Sequence, residues 1–389
     1  MQQADTLGDR LRNVRKRRGL SQRELADLSG VSVSLIRKLE QGEREDTRLE
    51  TVRKLAVALR APTSALVVRP DAEDADSETA ADWEPVRRAL AGVVAQPEEP
   101  PTAEGVAAVL ADTRPALAVN QYSGVRAVLP GLLRDADGLN GQGRKVRSRV
   151  LNMTGWLLVQ TRQWDAADTA LHLAVDGAAD RLEAGAAVNT MCWSLLRQGK
   201  LAKARDLASG WADDIEPRFS RATVRELAIW GRLLLGVANA AIRDARPGEA
   251  EDAVQLARAA ADRIGREITS DASTTRTFGP ATVTMIEAEN AAITERPGRV
   301  LALAHRVPVD VLHPWSASRC RHRLDVANAH VQLRQHAEAV TILRELKRNA
   351  PEWLVQQRYA RDVVGRMIQR RRTLTPEMRD LADFVRLPL

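Results

Sequence analysis

The 22 residues from Ser21 to Gly42 constrain this chain more than any other stretch. Ser21 is a good N-cap, and Glu24 three residues on completes a capping box, so a helix starts here. Leu25 and Leu28 give that helix an apolar face. Gly30 supplies a turn in the left-handed region, where a side chain would hinder the backbone. Ser32 caps a second helix, Leu35, Ile36 and Leu39 form its buried side, and Gly42 ends it. Ser34, Arg37 and Lys38 are left on its outer face. Two short helices joined by so tight a turn make a helix-turn-helix, whose second helix has the shape to enter a DNA major groove.

The flanks complete a small domain. Residues 7–18 read as a helix with Leu7, Leu11 and Val14 inward and Arg10, Arg12, Arg15, Lys16, Arg17 and Arg18 around the rest, stopped by Gly19. Thr47 caps a helix in which Leu49, Val52, Leu55, Ala56 and Leu59 recur at helical spacing, and Pro62–Val67 reads as a fifth short helix. On Gln22, Leu25-Ala26, Gly30-Val31-Ser32, Ile36 and Leu39-Glu40-x-Gly42, the stretch over about residues 7–67 resembles the Xre (lambda-repressor-like) family. That resemblance implies a double-stranded DNA operator as partner, met by Gln22, Arg23, Ser32, Val33, Ser34, Arg37, Lys38 and Arg44. Gln22 would bond a phosphate, Val33 a thymine methyl, Ser34 either base, and Arg37 or Lys38 a guanine edge or a phosphate. It also implies that Glu40 pairs with Arg15 instead of reading a base. Arg12, Lys16, Arg17 and Arg44 are either phosphate contacts or solvated charges.

At 389 residues the chain exceeds one hydrophobic core, so two or three domains are expected. Ala, Leu, Val and Arg dominate and β-branched runs are few, which favours helix throughout. The formal charge of +7 is uneven: residues 1–68 carry 14 Lys/Arg against 9 Asp/Glu, residues 343–373 carry 9 against 3, and the rest is slightly acidic. The N-terminal share suits a phosphate partner. No apolar run reaches the roughly 20 residues of a membrane span, and the N-terminus has no signal-peptide pattern. Cys192 and Cys320 lie far apart in helical patterns and read as buried free thiols, consistent with a cytoplasmic protein. There is no Gly-rich phosphate loop and no HExxH, and the five histidines within 305–336 lack zinc-finger spacing with cysteine. No enzyme, cofactor or metal is expected.

Residues 69–85 are acidic and almost free of large apolar side chains, and read as a linker. Gln96–Pro101 reads as a turn between helices. Beyond it runs a series of helical hairpins whose turns centre on Asn120–Ser123, Gln163–Ala167, Gly199–Ala204, Arg246–Ala250, Arg296–Gly298 and Gln335–Ala339, at a spacing of about 36 to 50. Each turn leads into a helix with a small residue about three positions on, letting the second helix pack closely on the first. These units resemble tetratricopeptide repeats: Gly155, Trp164, Ala167 and Leu171 in one, Ala327, Ala339, Leu343 and Pro351 in another. Their longer spacing departs from the family's usual period of about 34. The expected fold is therefore all-α: a five-helix lambda-repressor-like domain (1–68), the linker (69–85), an α-solenoid of tetratricopeptide-like hairpins (86–373) and a C-terminal capping helix (374–389).

Aligning the two clearest units places Asn152 with Asn189 and Trp156 with Trp193, each pair 37 residues apart. The tetratricopeptide likeness implies that these positions look into a concave groove. Asn328 falls at the tryptophan position of a late unit, and Arg149 and Arg321 one turn earlier. Asparagine can bond an extended peptide backbone without reading its sequence, tryptophan adds flat apolar area, and arginine suits a carboxylate. Arg149, Asn152, Trp156, Asn189, Trp193, Arg321 and Asn328 are thus the candidate ligand set. The alternative is that the tryptophans pack between repeats and the asparagines cap turns. In architecture the chain is similar to peptide-responsive cytosolic regulators of Gram-positive bacteria. That likeness implies a homodimeric regulator whose groove binds a signalling peptide and alters operator affinity. The array could instead take a small molecule or a protein partner.

Overall fold

Caps start the first helices where the residues ask for them. In the computed structural model, Thr6 and Asp9 form a capping box ahead of α1 (Leu7–Arg17), and Ser21 and Glu24 form another ahead of α2 (Gln22–Ser29). Gly30 takes φ 68° between α2 and α3 (Val33–Gln41), Ser32 caps α3, and α4 follows over Leu49–Ala58. Leu11, Leu25, Ile36, Leu39, Leu55 and Leu59 are fully or almost fully buried between these helices. Gly8 permits the close approach of α1 to α3, since a Cβ there would lie 1.9 Å from the Leu39 carbonyl oxygen. Leu28, expected on the apolar face of α2, is 62% exposed. The buried stripe runs through Leu25 and Ala26, and Leu28 has turned beyond it.

The structure describes residues 6–387 except 45–46, 48, 62, 64–65, 67–79, 95–98, 140, 270–275, 309 and 370–372. Most of the expected fifth helix, residues 69–79 of the acidic stretch and Gln96–Glu98 of the expected turn lie outside the described residues. Leu66 is described: it is buried, and its carbonyl accepts a 2.8 Å hydrogen bond from Arg10 Nε. At the end of the acidic stretch, Ala80–Trp83 form a 3-10 turn leading into α5 (Glu84–Leu90), with Trp83 fully buried.

The chain divides into two compact units. One comprises Met1–Arg114 with Tyr122–Thr154, the other Pro115–Gln121 with Gly155–Leu389. Helix α6 (Ala103–Ala118) contributes to both, and α7 (Tyr122–Asp137) belongs to the first. Within that first unit the helix-turn-helix is docked: α4 packs on α7, Arg134 donates to the Thr47 carbonyl at 3.1 Å, and Arg53 pairs with Asp112 at 2.6 Å.

The second unit is an array of antiparallel hairpins, entered through α8 (Arg144–Gln160) and α9 (Trp164–Asp176). Its successive pairs are α10 (Arg181–Arg197) with α11 (Leu201–Asp214), α12 (Val224–Arg243) with α13 (Pro247–Ile264), α14 (Pro280–Ile293) with α15 (Pro297–Ala304), and α16 (Ala317–Gln332) with α17 (His336–Asn349). First helices also touch first helices, α10 to α12 to α14 to α16, which is how stacked repeats bury a continuous core. Every hairpin turn is built alike. Arg162, Gly199, Ala245, Glu295 and Arg334 take φ between 55° and 77°. The following residue donates its N–H to the carbonyl five positions back, at 2.8 to 3.0 Å in all five turns. That is the helix-ending bond of a left-handed cap. Five positions past each left-handed residue a small or branched side chain is buried: Ala167, Ala204, Ala250, Val300 and Ala339. The intervals, 37, 46, 50 and 39 residues, match the expected spread of spacings.

Helices α18 (Pro351–Val355), α19 (Arg358–Ile368) and α20 (Pro376–Phe384) close the array, with Met378, Leu381 and Ala382 of α20 buried. In all, the described residues hold twenty α-helices and one antiparallel pair of two-residue strands, β1 (Ile268–Thr269) and β2 (Thr277–Phe278). No described helix is long and apolar enough to cross a membrane.

Candidate nucleic-acid face and ligand cavity

The outer face of α3 is held in register from beneath. Arg15 grips Glu40 with two hydrogen bonds, Nε to Oε1 at 2.6 Å and Nη2 to Oε2 at 2.7 Å, and its Nη1 donates to the Leu20 carbonyl at 2.7 Å. Gln22 Nε2 adds a 2.9 Å bond to the same carboxylate. Burial pushes the Glu40 carboxyl up, but the bonds from Arg15 and Gln22 and the charges of Arg15 and Arg12 outweigh it and hold it below the usual range. The pairing of Glu40 with Arg15 expected from the family likeness is therefore formed, and it clamps α1, α2 and α3 together. Gln22, expected at a phosphate, spends one amide hydrogen on this clamp and stays half-buried.

Above the clamp, Ser32, Ser34, Arg37 and Lys38 are exposed together at one side of α3, and Arg23 is exposed on α2. Val33 is half-buried, and the Ser32 hydroxyl accepts from the Leu35 N–H as the cap. Arg44 is half-buried, and its N–H bonds the Lys38 carbonyl at 3.2 Å. This is a short polar and cationic surface on a helix held rigid at its base.

The second unit holds a half-open cavity of about 360 Å³. Its walls come from the first helices of the hairpins, α8, α10, α12, α14 and α16, closed by α18 and α19. Trp156 and Trp193 stack there with centroids 6.5 Å apart and planes 23° from parallel. Arg197 and Arg276 lie over the Trp193 ring at 5.2 and 5.4 Å. Glu289 sits centrally, pairing with Arg243 at 2.5 Å and Arg321 at 3.0 Å. Burial works against its charge, yet the two guanidiniums prevail and hold its carboxyl well below the ordinary range. Asp325 behaves oppositely: burial dominates and, with the charge of Glu289, raises its carboxyl against the charges of Arg321 and Arg243 and a hydrogen bond from Tyr359. Burial also lowers the Arg232 guanidinium, to about 10, and lowers Arg276, where the charge of Arg232 adds to the effect. Perturbed groups gathered in one cleft make it a candidate functional site.

Arg276 reaches this cavity from the loop between α13 and α14. Beside Arg276 the strand pair sets Ile268 opposite Phe278 and Thr269 opposite Thr277. Phe278 is buried on Gly231, and Glu267 caps α14 by accepting from the Ala281 and Thr282 N–H groups at 2.7 and 3.0 Å.

Of the ligand set expected from the sequence, Trp156, Trp193 and Arg321 come together on this cavity. Asn189 lines a much smaller pocket that shares Arg232 and Arg276 with it. Asn328 is buried away from the cavity lining. Arg149 and Asn152 belong to the first unit, half-buried and buried respectively. Sequence reasoning passed over Arg232, Arg276, Glu289, Asp325 and Tyr359. A charged residue inside an otherwise apolar helix, such as Arg232 within Leu227–Leu235, was the available signal. Both cysteines are buried and free, and burial raises each thiol to about 12.

Comparison with known proteins bears on the N-terminal part. Residues 6–67 match a family model described as a helix-turn-helix domain. A 65-residue stretch is 37% identical to the HTH-type transcriptional repressor RghR of Bacillus subtilis (strain 168), covering 17% of this chain and 48% of that protein. The chain thus spans about half the length of the curated relative it matches.

Proposed function

We propose that this chain is a sequence-specific DNA-binding transcriptional regulator whose hairpin array binds a ligand and adjusts operator affinity. The observation that carries the reading is the exposed Ser34–Arg37–Lys38 surface of α3, set on the buried Arg15–Glu40–Gln22 clamp. The likeness of residues 6–67 to a helix-turn-helix domain, and to part of a protein named as a repressor, supports it. In this reading Arg37 and Lys38 meet a guanine edge or phosphate, Ser34 and Val33 meet bases, and Gln22, Arg23, Ser32 and Arg44 position the helix on the backbone. A lone domain of this size makes few base contacts, so the protein acts as a homodimer on a two-fold repeated site.

The test is selection of bound DNA from random fragments by the purified chain. An inverted repeat, bound by the native chain and lost in the Arg37→Ala/Lys38→Ala variant, supports the reading. Unchanged operator binding by that variant refutes α3 as the reader.

For the array, a re-imported peptide held along the groove is one reading, on a likeness to tetratricopeptide-based regulators. The cavity volume of about 360 Å³ favours a second. It is near the lower end of the roughly 300–1,000 Å³ of ligand pockets, which suits a small molecule better than an extended peptide. In either case the ligand shifts DNA affinity only by preferring one of two states of the protein.

A further inference from the structure

Buried polar atoms almost always find partners, because an unmade hydrogen bond costs about 1–3 kcal/mol. The cavity breaks this rule repeatedly. Arg232 Nε, Asn239 Oδ1 and His322 Nδ1 have no hydrogen-bond partner among the described residues, and Arg321 Nε has none beyond the 3.8 Å approach to Asp325. All four residues line the same space. Such a concentration is not needed to stack helices. It marks groups left open toward something that enters.

The charge of the lining states what enters. Seven arginines and three acidic residues face the space. Glu289 is spent on Arg243 and Arg321. Arg232 has one bond, at 3.3 Å to the Thr277 carbonyl, and no carboxylate within ion-pairing distance among the described residues. Arg276 likewise has no ion pair there and lies against Trp193. Two buried guanidiniums repel each other and lose hydration, and the more distant charges of Glu289 and Glu267 offset this only in part. A planar guanidinium pair is the usual means of holding a carboxylate or phosphate by two parallel bonds.

We propose that the cavity binds a small ligand bearing an oxyanion, with its carboxylate or phosphate held between Arg232 and Arg276 and its flat apolar part against the stacked Trp156 and Trp193. Asp325 does not spoil the site, because Arg321 stands beside it and burial disfavours its charge. The ligand's hydrogen-bond donors, where it has them, meet Asp325 and Asn239. This inference rests on the reading of the array as a ligand-binding body and deepens it.

Four probes of one shape test it on the full chain: benzoate, phenyl phosphate, neutral benzamide and cationic benzylamine, each titrated by tryptophan fluorescence and by thermal unfolding. One or both oxyanions should quench fluorescence saturably and raise the melting temperature, and benzamide and benzylamine should do neither. Which oxyanion binds tighter assigns carboxylate or phosphate. Arg276→Gln should weaken the bound oxyanion about tenfold or more, the loss of a charge-assisted contact, and should melt no lower than the native chain when ligand-free. Equal effects of benzamide, or no effect of either oxyanion, overturn the proposal. So does Arg276→Gln that melts lower without ligand, because the arginine would then be structural. No readout involves DNA, so failure here leaves the operator-binding result standing, and loss of operator binding leaves this one standing.

Discussion

Glu40→Ala tests how the recognition helix is held. The pair it breaks is buried, with Arg15 and Glu40 each 8% exposed, and the carboxylate accepts three hydrogen bonds of 2.6 to 2.9 Å. Removing one partner of a buried pair leaves the other charge stranded and costs about 3–5 kcal/mol. Arg15 keeps its bond to the Leu20 carbonyl and can swing toward solvent, so about 3 kcal/mol is the expected loss. Hydrogen exchange read by mass spectrometry on peptides of α1 to α3 suits this, because it reports the first unit separately. At 1.4 kcal/mol per tenfold, exchange there should quicken by about two orders of magnitude, with helices α10 to α17 unchanged. The double variant Arg15→Met/Glu40→Leu, which removes both charges together, should recover most of the protection. The pH dependence has a definite sign. The folded pKa of Glu40 lies below its unfolded value, so the stabilisation is present above the unfolded pKa near 4.5 and is lost as pH falls through the folded one. Unchanged exchange in Glu40→Ala, or a double variant as loose as the single one, would refute the clamp.

Three further outcomes follow from close packing and from burial of charge. Gly8→Ala puts a methyl 1.9 Å from the Leu39 carbonyl, so α1 must back off α3; operator binding and protection of both helices should drop together, by about 2 kcal/mol or more in exchange. Gly231→Ala displaces the Phe278 ring, whose nearest atom lies 2.0 Å from the added methyl, and should speed exchange across residues 265–279 that carry Arg276, with a lower melting temperature. His322 is buried neutral: burial first, then Arg319 and Arg323, lower it to about 4 against the opposing charge of Glu289. Stability should therefore fall as pH drops from about 6.5 toward 4, by as much as ~3 kcal/mol, and His322→Gln should flatten that part of a urea-unfolding profile.

The helix-turn-helix was legible because its signals are local. Ser21, Glu24, Gly30, Ser32 and Gly42 act within three or four residues of themselves, and the structure uses each as its chemistry suggests. The hairpin turns were legible for a related reason, although most lack glycine at the left-handed position. Arg162, Ala245, Glu295 and Arg334 adopt left-handed backbones that such residues rarely take, so the turn was found from the small residue after it and not from the turn residue. Leu28 misled because Leu25 and Leu28 are three apart, as core residues often are, while the groove of this domain takes Ala26 instead.

The cavity was only half legible, and the half that was missed has a physical cause. Trp156 and Trp193 repeat at one position of two hairpins, so periodicity finds them. Arg232, Glu289 and Asp325 lie on successive first helices, 57 and 36 residues apart, and share no common offset. A repeat pattern reports what every unit needs for stacking. A binding site needs what each unit does differently, since a ligand is not itself periodic. Arg276 lies further from reach, outside any helix, and is delivered by a strand pair of two residues each whose anchor is Phe278 on Gly231. The polar lining departs from the repeat where Arg232, Asn239, Arg321 and His322 also hold polar atoms without hydrogen-bond partners among the described residues. Stacking alone would select against both departures, because each unpartnered buried group costs stability. The proposed ligand would account for their coincidence in one cavity, since its binding would repay that cost.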